Sequence, residues 1–360
     1  MAVIRQLSNG NKVTDWTEEV NEIENQYGLL NGSGLFSGKG ISQESIVFEK
    51  DMKSYTLLPQ TSRRGKPHTK GRGRTSETFS LALPYFSHED TIVPSDIQGQ
   101  RQTGTPDGAK AVATAIAEKL EDMRLNADQT REFMKIAAVK GLTKDGEDNT
   151  IADMFTEFGI SQTTIDFVLG TAGTDVDGKI RELKRSLGKS AKTGTRLGSF
   201  ECMVSPEFFD KLVSHSKIRE AYLQYSVSDS RSDVVRANLQ TFTDWGVVDT
   251  FYHQGVLFYS YDALFYKDGA DSTAIHAVGN GDAAGTAAEG GYTIVKGMKD
   301  LYRGYFGPAN TLSGANQVGK EMFVTEYRDP KDKYYEMELE MAPLYFMSKP
   351  QLSHKLVSSN

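Results

Sequence analysis

The longest regular pattern in the chain runs from Thr105 to Lys140. Val112, Ile116, Leu120, Met123, Ala127, Met134 and Ala138 recur at spacings of three, four or seven, which places them on one face of a helix. Ala109, Ala113, Ala117 and Ala137 add helix propensity along the same run. Thr105-Pro106-Asp107 reads as its start, with an N-cap hydroxyl, proline at the first helical position and an acid in the first turn. Gly141 reads as its stop. At 1.5 Å per residue such a helix is about 50 Å long, more than the width of most small domains. The pattern therefore predicts a strut on which other elements hang. Two helices meeting near Asn126 are the alternative it leaves open.

On either side the periodicity changes. Residues 1–42 read as an N-terminal arm. In it Trp16, Val20, Ile23 and Tyr27 share one face of a short acidic helix capped by Thr14 or Asp15, and Leu29 to Gly40 reads as a flexible Gly/Ser-rich connection. Ser45 to Leu58 and Thr78 to Leu83 alternate like strands around a basic, Gly-rich stretch, Gln60 to Ser76, and are followed by turn-rich sequence from Pro84 to Gln102. A two-stranded arm of this kind is marginal alone and should lie on something else. Beyond the long helix come short apolar pieces around Phe155, Phe158, Ile165 and Phe167, then a helix over Asp177 to Lys189 with Ile180, Leu183 and Leu187 on one face. Phe200 to Val204 reads as a buried strand. Ser205-Pro206-Glu207 then caps a helix to Ser214, and a second helix spans Lys217 to Tyr225. Gln254-Gly255 between two strand-like runs predicts a hairpin. Asp268 to Gly291 reads as a loop, and Tyr292 to Val295 as a strand. Met322 to Tyr327 and Tyr334 to Met341 read as paired strands. In the second, Tyr335, Met337, Leu339 and Met341 point one way and Glu336, Glu338 and Glu340 the other. Leu344 to Met347 and Leu352 to Val357 close the chain, and the whole succession is that of an α+β protein.

Composition narrows the function more than the fold. A chain of 360 residues has room for two to three domains and a sizeable core. A net charge of −7 argues against nucleic-acid binding by the whole protein. The single cysteine, Cys202, lies in an apolar strand and reads as a buried thiol, so no internal disulfide is expected and folding in a reducing compartment fits. No signal peptide and no membrane-length apolar run are apparent.

Motifs for chemistry fail on inspection. Asn31 to Gly40 resembles a phosphate loop, but Gly38-Lys39 is followed by Gly40 rather than Ser or Thr. Gly279 to Gly285 resembles a dinucleotide fingerprint, but its third glycine is one residue late and no helix pattern follows. The six histidines show no zinc spacing, His88-Glu89-Asp90 reads as a solvated turn or subunit contact, and no nucleophile elbow is present. No catalytic residue, metal site or cofactor is expected. Glu336, Glu338 and Glu340 could hold a cation, but read better as a stripe facing solvent or another subunit. The tip of the arm carries Arg63, Arg64, Lys66, Lys70, Arg72 and Arg74 with no acid among them. It could touch phosphates or an acidic patch on an identical neighbour, supplied by Glu18 to Glu24 or by Glu336 to Glu340. The acidity of the rest of the chain favours the neighbour.

This order of elements resembles the tailed-bacteriophage major capsid proteins of the HK97-like fold, and within them the lambda-type major head protein family. Supporting details are Thr75-Ser76-Glu77 before the return strand, the Asp96-Ile97-Gln98 turn before the helix, Tyr302-Arg303-Gly304-Tyr305, and Ala342-Pro343-Leu344 after the penultimate strand. The resemblance implies an N-terminal arm at 1–42 and an E-loop at 43–94. It implies a P-domain at 95–149 and 320–341, with a spine helix at 105–140, and an A-domain at 150–319 and 342–360. It implies a structural protein, not an enzyme, that forms pentamers and hexamers of an icosahedral shell around double-stranded DNA. It further implies a virion component assembled in the host cytoplasm without a membrane, a separate scaffolding protein, a portal at one vertex, and a decoration or cement protein. Some relatives link an E-loop lysine to a neighbour's asparagine. Lys66 and Lys70 lie in the right loop, but no asparagine partner stands out. The competing reading is a packaging-associated nucleic-acid-binding protein that uses loop 63–74.

Overall fold

In the computed structural model the residues described are 3–6, 12–22, 28–50, 77–98, 112–191, 198–220, 247–266, 274–278, 289–312, 314–331 and 333–359. The chain begins with the hairpin β1 (Val3–Gln6) and β2 (Lys12–Asp15), followed by α1 (Thr17–Glu22). The Asp15 carboxylate accepts from the Thr17 amide at 3.1 Å, so Asp15 is the cap, and Val20 is fully buried. The stretch expected to be a flexible connection is instead built. It forms α2 (Leu29–Gly32) and β3 (Ser37–Gly40), and Leu29 and Leu30 are buried. Two of its glycines, Gly38 and Gly40, serve close approach. A Cβ on Gly40 would lie 2.0 Å from the Gly319 carbonyl oxygen.

The arm begins as the antiparallel pair β4 (Ser45–Lys50) and β5 (Glu77–Ala82). Its base does not stand free of its own chain, as the composition suggested. Phe48 meets Phe346 edge-on at 4.4 Å between ring centroids, and Leu81 is buried beside Met154, Leu344 and Phe346. The tip, with Arg63, Arg64, Lys66, Lys70, Arg72 and Arg74, lies outside the described residues. The turn-rich stretch after it contains a strand, β6 (Phe86–Ile92), so His88-Glu89-Asp90 is extended backbone and not a turn. Its polar sequence hid it. Phe86 and Ile92 face inward, while alternate residues lie on an open face at a sheet edge.

The long helix is α3 (Val112–Lys140), continuous through Asn126 and about 44 Å long at 1.5 Å per residue. The expected cap at Thr105-Pro106-Asp107 lies outside the described residues. Except for the exposed Val112, its predicted apolar face is buried. The first half of that face packs on Val324, Met337, Leu339 and Met341, while Ile136 and Val139 join a separate, larger core. One helix therefore threads two cores, which is what a strut does.

After it come β7 (Leu142–Lys144), β8 (Thr150–Asp153), α4 (Met154–Phe158), β9 (Thr164–Asp166), α5 (Val176–Ser190), β10 (Phe200–Val204) and α6 (Pro206–Ser214). The Asp175 carboxylate caps α5 at the Gly178 amide (2.9 Å), and Ile180, Leu183 and Leu187 are fully buried. The Ser205 hydroxyl caps α6 at Phe208 with Pro206 next, as its sequence predicts. Residues 216–220 are helical, and 221–225 lie outside the described residues. Then follow β11 (Val247–His253), β12 (Val256–Tyr261), β13 (Leu264–Tyr266), β14 (Ala274–His276), β15 (Glu289–Val295), β16 (Tyr302–Phe306), β17 (Phe323–Arg328), β18 (Tyr335–Met341), β19 (Pro343–Met347) and β20 (Lys355–Val357). Gln254 and Gly255 both have positive φ, as a tight hairpin turn requires. The Gly279 to Gly285 run lies outside the described residues.

Two larger sheets organise the molecule. One has the order β1-β2-β17-β18-β6 and is antiparallel. The other is mixed, with the order β11-β12-β10-β15-β20-β9 and parallel pairs at β10/β12 and β20/β9. A smaller sheet, β19-β16-β3, carries the N-terminal segment. Among the described residues no helix is long and apolar enough to cross a membrane.

Candidate assembly surfaces and a buried charged junction

The face of α3 that sequence periodicity leaves polar is buried as well. Arg124, Asp128, Arg131, Glu132 and Lys135 are all nearly inaccessible to solvent. Such burial is tolerated only when each charge is paired and hydrogen-bonded. Asp128 accepts from Arg124 Nε at 2.9 Å and from Arg131 Nη1 at 3.0 Å. Arg131 also reaches Glu321 at 2.8 Å and donates to the Tyr345 hydroxyl at 3.1 Å. Burial works against its charge, but Tyr345, Glu321 and Asp128 hold the guanidinium protonated well above its ordinary range. Glu132 accepts from the Leu30 amide at 2.9 Å, the Asn31 amide at 2.7 Å and the Tyr261 hydroxyl at 3.0 Å. Lys135 donates to Asn31 Oδ1 at 2.7 Å, and burial pulls its amine down to about 8. These bonds tie the N-terminal segment, the helix, β12 and β19 into one junction. Sequence reasoning missed it. The only local signal was the spacing of Arg124, Asp128 and Arg131, which also suits an exposed helix face.

The acidic strand resolves into two environments. In β18, Glu338 stands directly across from Glu89 of β6 and from Thr325 of β17, and Thr325 in turn faces Asp15. Asp15, Glu338 and Glu89 thus form a row on the outer face, with Glu336 one step along. Its hydrogen bond to the accepting Glu89 carboxylate, then burial and the charges of Glu89 and Glu338, hold the Glu336 carboxyl above the usual range. Glu338 accepts from the Ser87 hydroxyl at 2.9 Å. Glu340 does not belong to an open stripe. It is 4 % exposed, and accepts from the Tyr85 hydroxyl at 2.6 Å and the Asn310 amide at 3.1 Å. Burial and this carboxylate push the Tyr85 phenol up to about 12. Of the other acidic candidates, Glu18 is exposed on α1, and residues 23–27 lie outside the described residues.

The groups with chemical potential serve packing. Cys202 is buried in β10, which pushes its thiol up and makes it unreactive. His253 pairs with Asp177 at 2.6 Å, and the His354 ring meets the Ser190 hydroxyl at 3.1 Å. Among the described residues no cluster of three or more His, Cys, Asp or Glu could hold a metal.

This architecture of one strut and two cores agrees with the sequence comparisons. The profile of the family described as Phage major capsid protein E matches residues 12–358. The chain belongs to that family. It is 30% identical to the major capsid protein of Salmonella phage Felix O1 over 347 residues, covering 94% of each chain. It is 29% identical to the major capsid protein of Pseudomonas phage KPP10 over 358 residues, covering 98% of each. In structure it is similar to the capsid of cyanophage P-SCSP1u, with a TM-score of 0.53 at 10% identity over 94% of this chain and 90% of that one, which speaks for the fold alone. The α+β fold is HK97-like. As a major capsid protein the chain is a structural component of the virion that forms the shell, not an enzyme.

Proposed function

We propose that this major capsid protein tiles an icosahedral shell as pentamers and hexamers around double-stranded DNA, and that its basic arm tip rests on the acidic sheet face of a neighbour. In this reading the E-loop is drawn from residues 43–94, whose last strand, β6, pairs with β18 of the proposed P-domain, and α3 is the spine. The charge partition carries it. Six cations and no carboxylate lie between Arg63 and Arg74, while Glu338 and Glu89 oppose each other on a sheet face with Glu336 and Asp15 alongside. Like charges directly opposite each other destabilise a lone subunit, and a cationic partner relieves them. Each contact can be weak, because a closed shell adds many of them. A separate scaffolding protein, a portal at one vertex and a decoration or cement protein complete the proposed assembly, which takes place in the host cytoplasm.

The test is electron microscopy with sedimentation velocity on the chain alone and co-expressed with its scaffold. Closed shells, tubes or capsomer rings are expected. Replacing Arg63, Arg64, Arg72 and Arg74 by glutamate should abolish them, and adding Glu336→Lys and Glu338→Lys should restore them in part. A subunit that remains a monomer or dimer under every condition would overturn the reading. Binding to DNA that falls steeply with salt would then favour the nucleic-acid alternative.

A further inference from the structure

A groove of roughly 1260 Å³ opens between the base of the arm, α3, the β7–β8 connection and β13–β14. Tyr85, Phe133, Ile151 and Tyr266 line it, with Tyr266 59 % and Ile151 37 % exposed. Asp145 and Glu147 also line it, and no lysine or arginine does among the described residues. It is thus a mixed groove, in which aromatic and aliphatic side chains alternate with neutral polar ones such as Asn126, Gln129 and Thr130 and with two carboxylates.

An exposed apolar projection lies on the same chain. Leu312 is completely exposed, at 101 %, and Val318 is 65 % exposed. The loop that bears them is pinned. Gly314 donates to the Thr311 carbonyl at 2.9 Å, Gln317 to Gly314 at 3.0 Å and Gly319 to Ile41 at 2.9 Å, while Asn310 donates to Glu340. A leucine presented this way is a preformed apolar knob. Lys320 in the loop and Lys39 on the adjoining β3 are exposed, and residues 308–320 contain no acid. Apolar surface meets apolar surface, and cations meet carboxylates.

We infer that Leu312 and Val318 of one subunit seat in this groove of a second copy, with Lys39 and Lys320 against Asp145 and Glu147. The inference rests on the shell reading above, and adds a contact that does not involve the arm tip. Within one chain the knob does not fill the groove, since Leu312 is wholly exposed.

Cysteines at positions 312 and 151 test it, because the native Cys202 is buried and stays silent. Oxidation of particles carrying both Leu312→Cys and Ile151→Cys should give a ladder of covalent multimers on a non-reducing gel, and neither single variant should. Leu312→Asp should raise the protein concentration needed for assembly by about tenfold or more, the equivalent of roughly 1.4 kcal/mol per contact. Its unassembled subunit should melt as the wild type does. Wild-type shells with no ladder from the double variant, or with Leu312→Asp assembling at the wild-type concentration, overturn the inference while leaving the shell reading intact. A ladder from Ile151→Cys with Leu58→Cys instead assigns the groove to the arm and also overturns it. Absence of wild-type assembly overturns the shell reading, and this one with it.

Discussion

Replacing Glu132 by glutamine probes the junction with almost no change of shape. The carboxylate is 0 % exposed and accepts three hydrogen bonds, from two backbone amides and a tyrosine hydroxyl. Hydrogen bonds to a charged group contribute about 1.5–3 kcal/mol each, against about 1 for neutral pairs. The glutamine oxygen keeps the bonds on one side at the lower value. Its NH₂ then faces an amide N–H, so one bond is lost and a buried donor is left without a partner, at about 1–3 kcal/mol. The charge balance with Lys135 is also removed. The expected loss is about 3–4 kcal/mol, within the range for breaking a buried pair. The effect should be local first. In hydrogen exchange on the unassembled subunit, the Leu30 and Asn31 amides should exchange roughly 100-fold faster or more, at 1.4 kcal/mol per factor of ten. Urea unfolding should show the same direction. Lys119→Ala, which breaks the half-exposed pair with Asp90, serves as the control and should cost at most about 1 kcal/mol. Exchange at Leu30 and Asn31 within threefold of wild type would refute the junction as the anchor of the N-terminal segment.

Gly28 has φ +95°, and a Cβ there would lie 2.5 Å from the Glu132 carboxyl, so Gly28→Ala should destabilise the subunit by about 2–4 kcal/mol and loosen the same amides; an unchanged urea midpoint would contradict this. Burial lowers the His354 pKa from about 6.5 to about 4, so between those values the unfolded chain takes a proton that the folded chain refuses. Stability should therefore be whole above about pH 6.5 and fall as pH drops toward 4, by roughly 2 kcal/mol at about pH 4.5. His354→Gln should flatten that part of the curve in urea titrations, and an unchanged slope would count against it.

Four local patterns carry over from the sequence into the structure. The stripe on α3, the Ser205-Pro206 helix start, the Gln254-Gly255 turn and the alternation in β18 depend on residues a few positions apart, and backbone geometry imposes those spacings in any surroundings. Which polar residues lie inside depends on long-range packing. Glu338 and Glu340 are two positions apart on the same strand face. One lies in the outer row opposite Glu89, and the other is buried because Tyr85 and the loop at Asn310 close over it. Arg131 looks like a solvated helix residue until Glu321 and Tyr345 arrive from late in the chain. Similarly, β6 and β3 are strands because β18 and β16 offer them edges, not because their own residues favour extension. A hydrophobic stripe announces its burial through its period. A buried charge or a polar strand does so only through the partner that satisfies it, and that partner is distant in sequence.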